Sequence, residues 1–297
     1  MITLDLPPLP YQPWAETKDN LHLISQMVGK VRLLLHPPLN HWWHATLYPT
    51  VRGLSTGRIP YGSGGFEIEI NLLQHAIVIT TQAGKDQQVP LPGRSIAAIY
   101  AAFFQALADL GIDVTILDRP YDNASKTPFS QDTAARPYDE EAVTRFWRAL
   151  TQIASVFEVY RGGFVGKQTP VQLFWHSFDM AVTRFSGEAH PLEGGTASDR
   201  EAYSHAVISI GFWPGDPSFP EPAFYGYAYP EPAGLNQVAL SPPQAIWAEK
   251  NGGALAAYRY EDLRGEADQQ ASLLSFLNSL YSGAAKACDW PYQALAR

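Results

Sequence analysis

The chain runs twice through the same order of predicted elements, and that order constrains its fold more than any single motif. A helix over about Trp14–Val28, with Leu21, Ile24 and Val28 on one face, is followed by short strands and then by a closing helix. A second helix over about Asp139–Tyr160, with Val143, Phe146, Leu150, Ile153 and Phe157 at helical spacing, opens the same series again. Some of the letters follow suit. "GKVRLLLHPPLNHWWHATLY" comes after the first helix as "GKQTPVQLFWHSFDMAVTRF" comes after the second, and "AIVITTQAGKDQQV" precedes one closing helix as "AIWAEKNGGALAAY" precedes the other. The expectation is an α+β protein of two pseudo-repeated halves, each an antiparallel sheet with flanking helices, the second carrying long insertions at 187–204 and 214–244. Residues 1–117 form the first half, the aperiodic, proline-containing stretch 118–138 is a connector, and 139–297 form the second half. The groove between halves is then the natural place for a ligand.

Turn chemistry marks the strands: 30–36, 44–50, 66–72 and 75–81 in the first half, and "VQLFWHSFDMAVTRFS", "HAVISIGFW", "AFYGYAYP" and an Asn251-Gly252 hairpin in the second. The apolar run from Ile96 to Leu110, with Ser95 at its start and Gly111 at its end, is a buried helix; Gln105, Asp109 and its length set it apart from a membrane span. A last helix spans about Glu266–Ala287. With 46% hydrophobic residues the chain can bury a large core, and its net charge of -8, without a basic run, excludes nucleic acid as an expected partner. A single cysteine, Cys288, excludes an internal disulfide framework, and the first residues read as no signal or anchor, so a cytoplasmic location away from membranes is expected.

The segment "QLFWHSFDMAVTRFSG" carries the candidate chemistry. Read as one strand, it puts His176, Phe178, Met180, Val182 and Arg184 on one face and Ser177, Asp179 and Thr183 on the other. The ordinary reading of that polar row is a solvated face; the functional reading has it lining a cleft between the halves. In "HAVISIGFW", His205 shares a face with Val207, Ser209, Gly211 and Trp213, so pairing of the two strands predicts Asp179 and His205 as an acid–base couple. Tyr203 and Arg200 stand just upstream, placed to orient an anionic or carbonyl group. Residues 211–232, with six prolines and seven aromatic residues, supply Trp213, Tyr225 and Tyr227 as stacking surfaces, and Arg184 and Tyr203 complete the candidate ligand contacts.

Other motifs carry less. His36, His41 and His44 lack the spacing and the acidic or cysteine partners of a zinc site. Glu67 and Glu69 share the face of an amphipathic strand that is expected to be solvent-exposed. "YGSGG" precedes a strand and lacks the ending of a phosphate-binding loop. No nucleophile elbow, zincin motif or dinucleotide fingerprint is present, so no cofactor and no metal is expected.

"FWHSFDMAVTRFSG", "YSHAVISIGFWPGD" and "AFYGYAYPEP", together with "RIPYG", "FEIEI" and "RFWRAL", resemble a bacterial family known as a domain of unknown function. The resemblance covers nearly the whole chain and implies one full-length unit; it implies no substrate or catalytic residue. This chain departs from the pattern at Ala206, where an acidic residue follows the histidine of similar sequences. The sequence reading is therefore a small-molecule-binding protein with an aromatic-lined cleft. Two alternatives stay open: a metal-independent hydrolase or isomerase using Asp179 and His205, and an interaction module whose aromatic loop docks a partner or a second copy of the chain.

Overall fold

The computed structural model describes residues 3–250 and 252–297. Its first element is α1 (Tyr11–Leu35), buried at every residue from Asn20 to Arg32. Residues 30–36, expected as a strand, continue this helix. Val31 and Arg32 are buried on it while Leu34 is exposed, and the chain leaves the helical conformation only at His36, the residue before Pro37.

A tight 3-10 segment (Asn40–Ala45) leads into the first sheet: β1 (Tyr48–Pro49), β2 (Gly53–Ser55), β3 (Ile59–Tyr61), β4 (Gly64–Asn71), β5 (Ala76–Thr81) and β6 (Asp86–Pro90). The strands are antiparallel, ordered β1-β2-β4-β5-β6 with β3 also on β4. Of the strand expected over 44–50, only Tyr48–Pro49 is extended in the sheet, because the turn of 40–45 occupies its first residues. The closing helix α2 (Ile96–Asp109) is capped by Ser95, whose hydroxyl accepts from the Ala98 amide. The connector has no regular structure beyond a 3-10 turn at Phe129–Gln131.

The second half opens with α3 (Glu140–Gly162), capped by Asp139. Its strands are β7 (Gln172–Phe174), β8 (Asp179–Ala189), β9 (His205–Trp213), β10 (Ala223–Tyr229), β11 (Ile246–Lys250) and β12 (Gly253–Arg259), ordered β11-β12-β10-β9-β8-β7. Short helices α4 (Ala197–Ala202) and α5 (Tyr260–Arg264) precede β9 and α6 (Gln269–Ala287). The single strand expected over 171–186 is instead a hairpin, with Phe174 paired to Asp179 and Phe178 in the left-handed region at φ 61°. Such a backbone costs a non-glycine residue about 1–2 kcal/mol. Burial of the Phe178 ring between His22 and Phe146 (centroids 5.3 and 5.6 Å away) offsets that cost. Lys250 pairs with Gly253 across the β11–β12 hairpin; Asn251, expected in its turn, lies outside the described residues.

Both halves thus present a helix, six antiparallel strands and a helix. Of the two likenesses in letters, the second joins equivalent hairpins, β5–β6 and β11–β12. The first sets the end of a helix against the β7–β8 hairpin and has no structural counterpart. The sheets meet at Leu47 and Leu173, which exchange both backbone hydrogen bonds (2.9 and 2.7 Å), and one cluster of buried apolar side chains runs through both halves. No helix among the described residues is long and apolar enough to cross a membrane.

Gly29 marks the closest approach of α1 to the second half, since a Cβ there would overlap the indole of the buried Trp175. Alanine is the better helix former by about 1 kcal/mol, yet overpacking a core costs about 1–3 kcal/mol. Gly29→Ala is therefore expected to lower stability in urea unfolding; a gain in stability would contradict the contact.

Candidate functional site

Lys18, His22, Gln26 and Lys30 recur every four residues along α1 and so form one polar stripe on a buried helix. A buried polar group needs a partner, and the connector supplies most of them. Gln26 donates to the Tyr121 carbonyl (2.5 Å) and accepts from the Tyr121 amide (2.7 Å). Lys30 donates to the carbonyls of Leu117 (2.9 Å) and Arg119, and Lys18 to that of Gly215 (3.3 Å) beside its ion pair with Asp19 (2.8 Å). The His22 ring lies between two elements, with Nε2 3.0 Å from both the His176 carbonyl and the Gln26 side-chain nitrogen and Nδ1 3.2 Å from the Asn123 side-chain nitrogen. That arrangement fits only the neutral imidazole, and burial pushes its pKa down to about 4.

Strapped down in this way, the connector becomes one wall of a cleft of about 1210 Å³, whose other lining comes from α1, the 41–45 turn and the second sheet. The sheet supplies its floor. In the antiparallel register Thr183, Ser209 and Tyr227 are neighbours, as are Ala181, Gly211 and Tyr225, so these side chains share a face. Gly211 is required there, because a Cβ would overlap the Tyr225 ring.

The floor carries hydroxyls in separate hydrogen-bonded groups, one of them on a carboxyl group. Ser177 and Tyr225 both donate to Asp179, Tyr203 and Tyr227 share a hydrogen bond (2.8 Å), and so do Thr183 and Ser209 (2.9 Å). The Tyr225 and Tyr227 rings lie parallel, with centroids 6.4 Å apart. Burial pushes both phenols well above their usual range, so they stay neutral donors. On the walls, Trp213 stacks on Phe219 (5.7 Å) with the Lys250 ammonium 4.4 Å from its ring; the buried Trp175 Nε1–H, packed beside Gly29, has no partner among the described residues.

The structure brings Asp179, Tyr203, Trp213, Tyr225 and Tyr227 to this cleft and leaves three predicted residues, His205, Arg184 and Arg200, outside it. His205 pairs with Ala189 while Met180, next to Asp179, pairs with Phe212, so the antiparallel register sends Asp179 and His205 to opposite ends of their strands. At about 3.3 Å per residue that is about 25 Å, and the expected acid–base couple does not form. His205 instead packs its ring 5.3 Å from that of His41. Arg184 projects from the other face, where Tyr160, Tyr281 and Phe164 surround its guanidinium at 3.6, 4.2 and 4.8 Å and the Tyr160 carbonyl accepts from it (2.5 Å). Arg200 donates to the Gly195 carbonyl (2.7 Å). Glu69, expected to be exposed, is buried and takes hydrogen bonds from Arg52 and Thr50 (both 2.8 Å). The α1 stripe and Trp175 escaped sequence reasoning. The four-residue spacing of Lys18, His22, Gln26 and Lys30 was the visible signal, but on an isolated helix it marks a solvated face.

Two antiparallel sheets meeting around one tyrosine-floored cleft define an α+β protein with a candidate small-molecule site where its halves join. The chain belongs to the family of unknown function DUF5996, which it matches over residues 6–297. No curated protein and no solved structure matches it. Among the described residues no group of three or more His, Cys, Asp or Glu side chains is placed to hold a metal ion.

His22 gives the fold a defined acid sensitivity. Its pKa falls from 6.5 to about 4 on folding, so between those values the unfolded chain binds the proton and the folded chain does not. Stability is therefore expected to fall by about 3 kcal/mol as pH drops from 6.5 to 4, with no His22 contribution to the slope above that window. Urea unfolding of wild type and His22→Gln across this range checks it, the variant losing that part of the slope.

Proposed function

We propose that the protein is a soluble, cytoplasmic binding protein that takes up a small organic molecule in the cleft between α1, the connector and the second sheet. One observation carries this reading: Asp179, only 9% exposed, lies among neutral hydroxyls under aromatic walls, in a cavity of about 1210 Å³. Few polar groups converging inside a largely apolar concavity of at least several hundred Å³ is the usual make-up of a ligand site. The connector is fixed to α1 by side-chain hydrogen bonds, which supports a site formed before the ligand arrives.

The alternatives have less support. The enzyme built on Asp179 and His205 lacks its geometry, for the reason given above. The aromatic loop, the basis for a docking module, turns its rings inward: Phe212 and Phe224 are in the core, Phe219 lies on Trp213, and Tyr225 and Tyr227 are in the floor.

Thr183→Phe fills the middle of the floor without touching Asp179. In a fragment screen by saturation-transfer NMR, wild type is expected to bind aromatic fragments and the variant to lose them by at least about tenfold, about 1.4 kcal/mol. A wild-type protein that binds no fragment, or fragments that bind the filled variant equally well, would count against the reading.

A further inference from the structure

We propose that the ligand of this cleft is a small organic cation, an ammonium or guanidinium whose charge pairs with Asp179. The inference rests on the reading of the cleft as a ligand site and names the chemistry it selects.

The floor holds a buried carboxyl group that no cation among the described residues pairs with. Both hydrogen bonds to Asp179 come from neutral hydroxyls, those of Ser177 and Tyr225. Among the described residues no Lys, Arg or His nitrogen forms an ion pair with it. A buried carboxylate without a paired cation is costly, and two neutral donors relieve only part of that cost.

Of the five lysine and arginine side chains that line the cleft, four are engaged elsewhere, and the fifth, the exposed Arg119, forms no ion pair with Asp179. Lys18 is held by Asp19 and the Gly215 carbonyl, Lys30 by connector carbonyls, Lys126 by the Asn123 carbonyl (2.7 Å), and Lys250 lies over Trp213. The imidazole beside Asp179, that of His176, is kept towards its neutral form by burial, although Asp179 itself pulls the other way. An arriving cation would supply the missing charge.

The rings around Asp179 favour the same ligand. Tyr225 hydrogen-bonds to it directly, Tyr227 lies parallel to Tyr225, and Tyr203 bonds to Tyr227, so three aromatic rings line the route to the carboxylate. Aromatic faces attract desolvated cations and repel anions. An anionic ligand would add an uncompensated charge beside the carboxyl group, and a neutral one would leave that group without a cation.

Benzylamine, benzyl alcohol and benzoate share one ring and differ in charge, and NMR-detected titration of each into the purified full-length protein at neutral pH and low salt tests the proposal. Benzylamine is expected to bind at least about tenfold more tightly than benzyl alcohol, and benzoate more weakly than either. In Asp179→Asn, its fold checked by circular dichroism, the amine is expected to lose that advantage while benzyl alcohol keeps its affinity. Should the variant not fold, the three-ligand order on wild type still decides. Equal binding of amine and alcohol, tighter binding of benzoate, or an amine preference that survives in Asp179→Asn would overturn the cation assignment. If benzyl alcohol binds wild type but not Thr183→Phe and shows no disadvantage against the amine, the cleft reading stands and only the assignment falls; if none of the three binds, both fall.

Discussion

The polar stripe on α1 is the constraint on which the rest of the site depends. A helix buried from Asn20 to Arg32 has no solvent face on which to place Lys18, His22, Gln26 and Lys30, so each must find a partner inside the protein. Connector backbone and Asn123 provide most of those partners, and a segment without regular structure becomes a fixed wall. Two residues beyond Lys30, on another side of the helix, Arg32 does the same for the other end. It donates to the carbonyls of His44 (3.1 Å) and Thr56 and to the Tyr48 hydroxyl (2.9 Å), holding the 41–45 turn in place. The cleft is thus a consequence of satisfying polar groups on a core helix.

How much of this was legible follows from how local each signal is. The α2 and α3 helices, the β4–β5 hairpin and strands β9 and β10 stand where periodicity and capping put them, because those signals need only neighbouring residues. The alternation from Asp179 to Phe185 likewise identifies the face that meets the cleft. Residues 30–36 have the apolar run of a strand, whereas the helix that starts at Tyr11 carries through to Leu35 with Val31 and Arg32 buried on it. The 175–178 turn was missed because it depends on Phe178 holding a left-handed backbone under tertiary contacts. The Asp179–His205 couple failed on register, which the face pattern of two strands leaves undetermined. Glu69 looked exposed because its partner Arg52 stands on a neighbouring strand connection.

Chemistry in the cleft is set by what surrounds a few polar groups. Burial raises the pKa of three floor tyrosines above the ordinary phenol value, and their hydroxyls are used in separate hydrogen bonds, Tyr225 to Asp179 and Tyr203 with Tyr227. Asp179 accepts from two neutral donors, whereas Arg184, one sheet face away, is enclosed by aromatic rings as a structural cation. The strand alternation that separates these two charged residues keeps one in the core and leaves the other facing the cavity.

Amide hydrogen exchange at Tyr121 tests most directly whether the α1 stripe builds the cleft. Its N–H donates to Gln26 Oε1 at 2.7 Å, although the Tyr121 side chain is largely exposed. The account predicts a strongly protected Tyr121 amide in wild type that loses protection in Gln26→Ala while the β8 and β9 amides keep theirs. Exchange of the wild-type Tyr121 amide at the rate of an unstructured chain would contradict a fixed wall, and with it a preformed cleft.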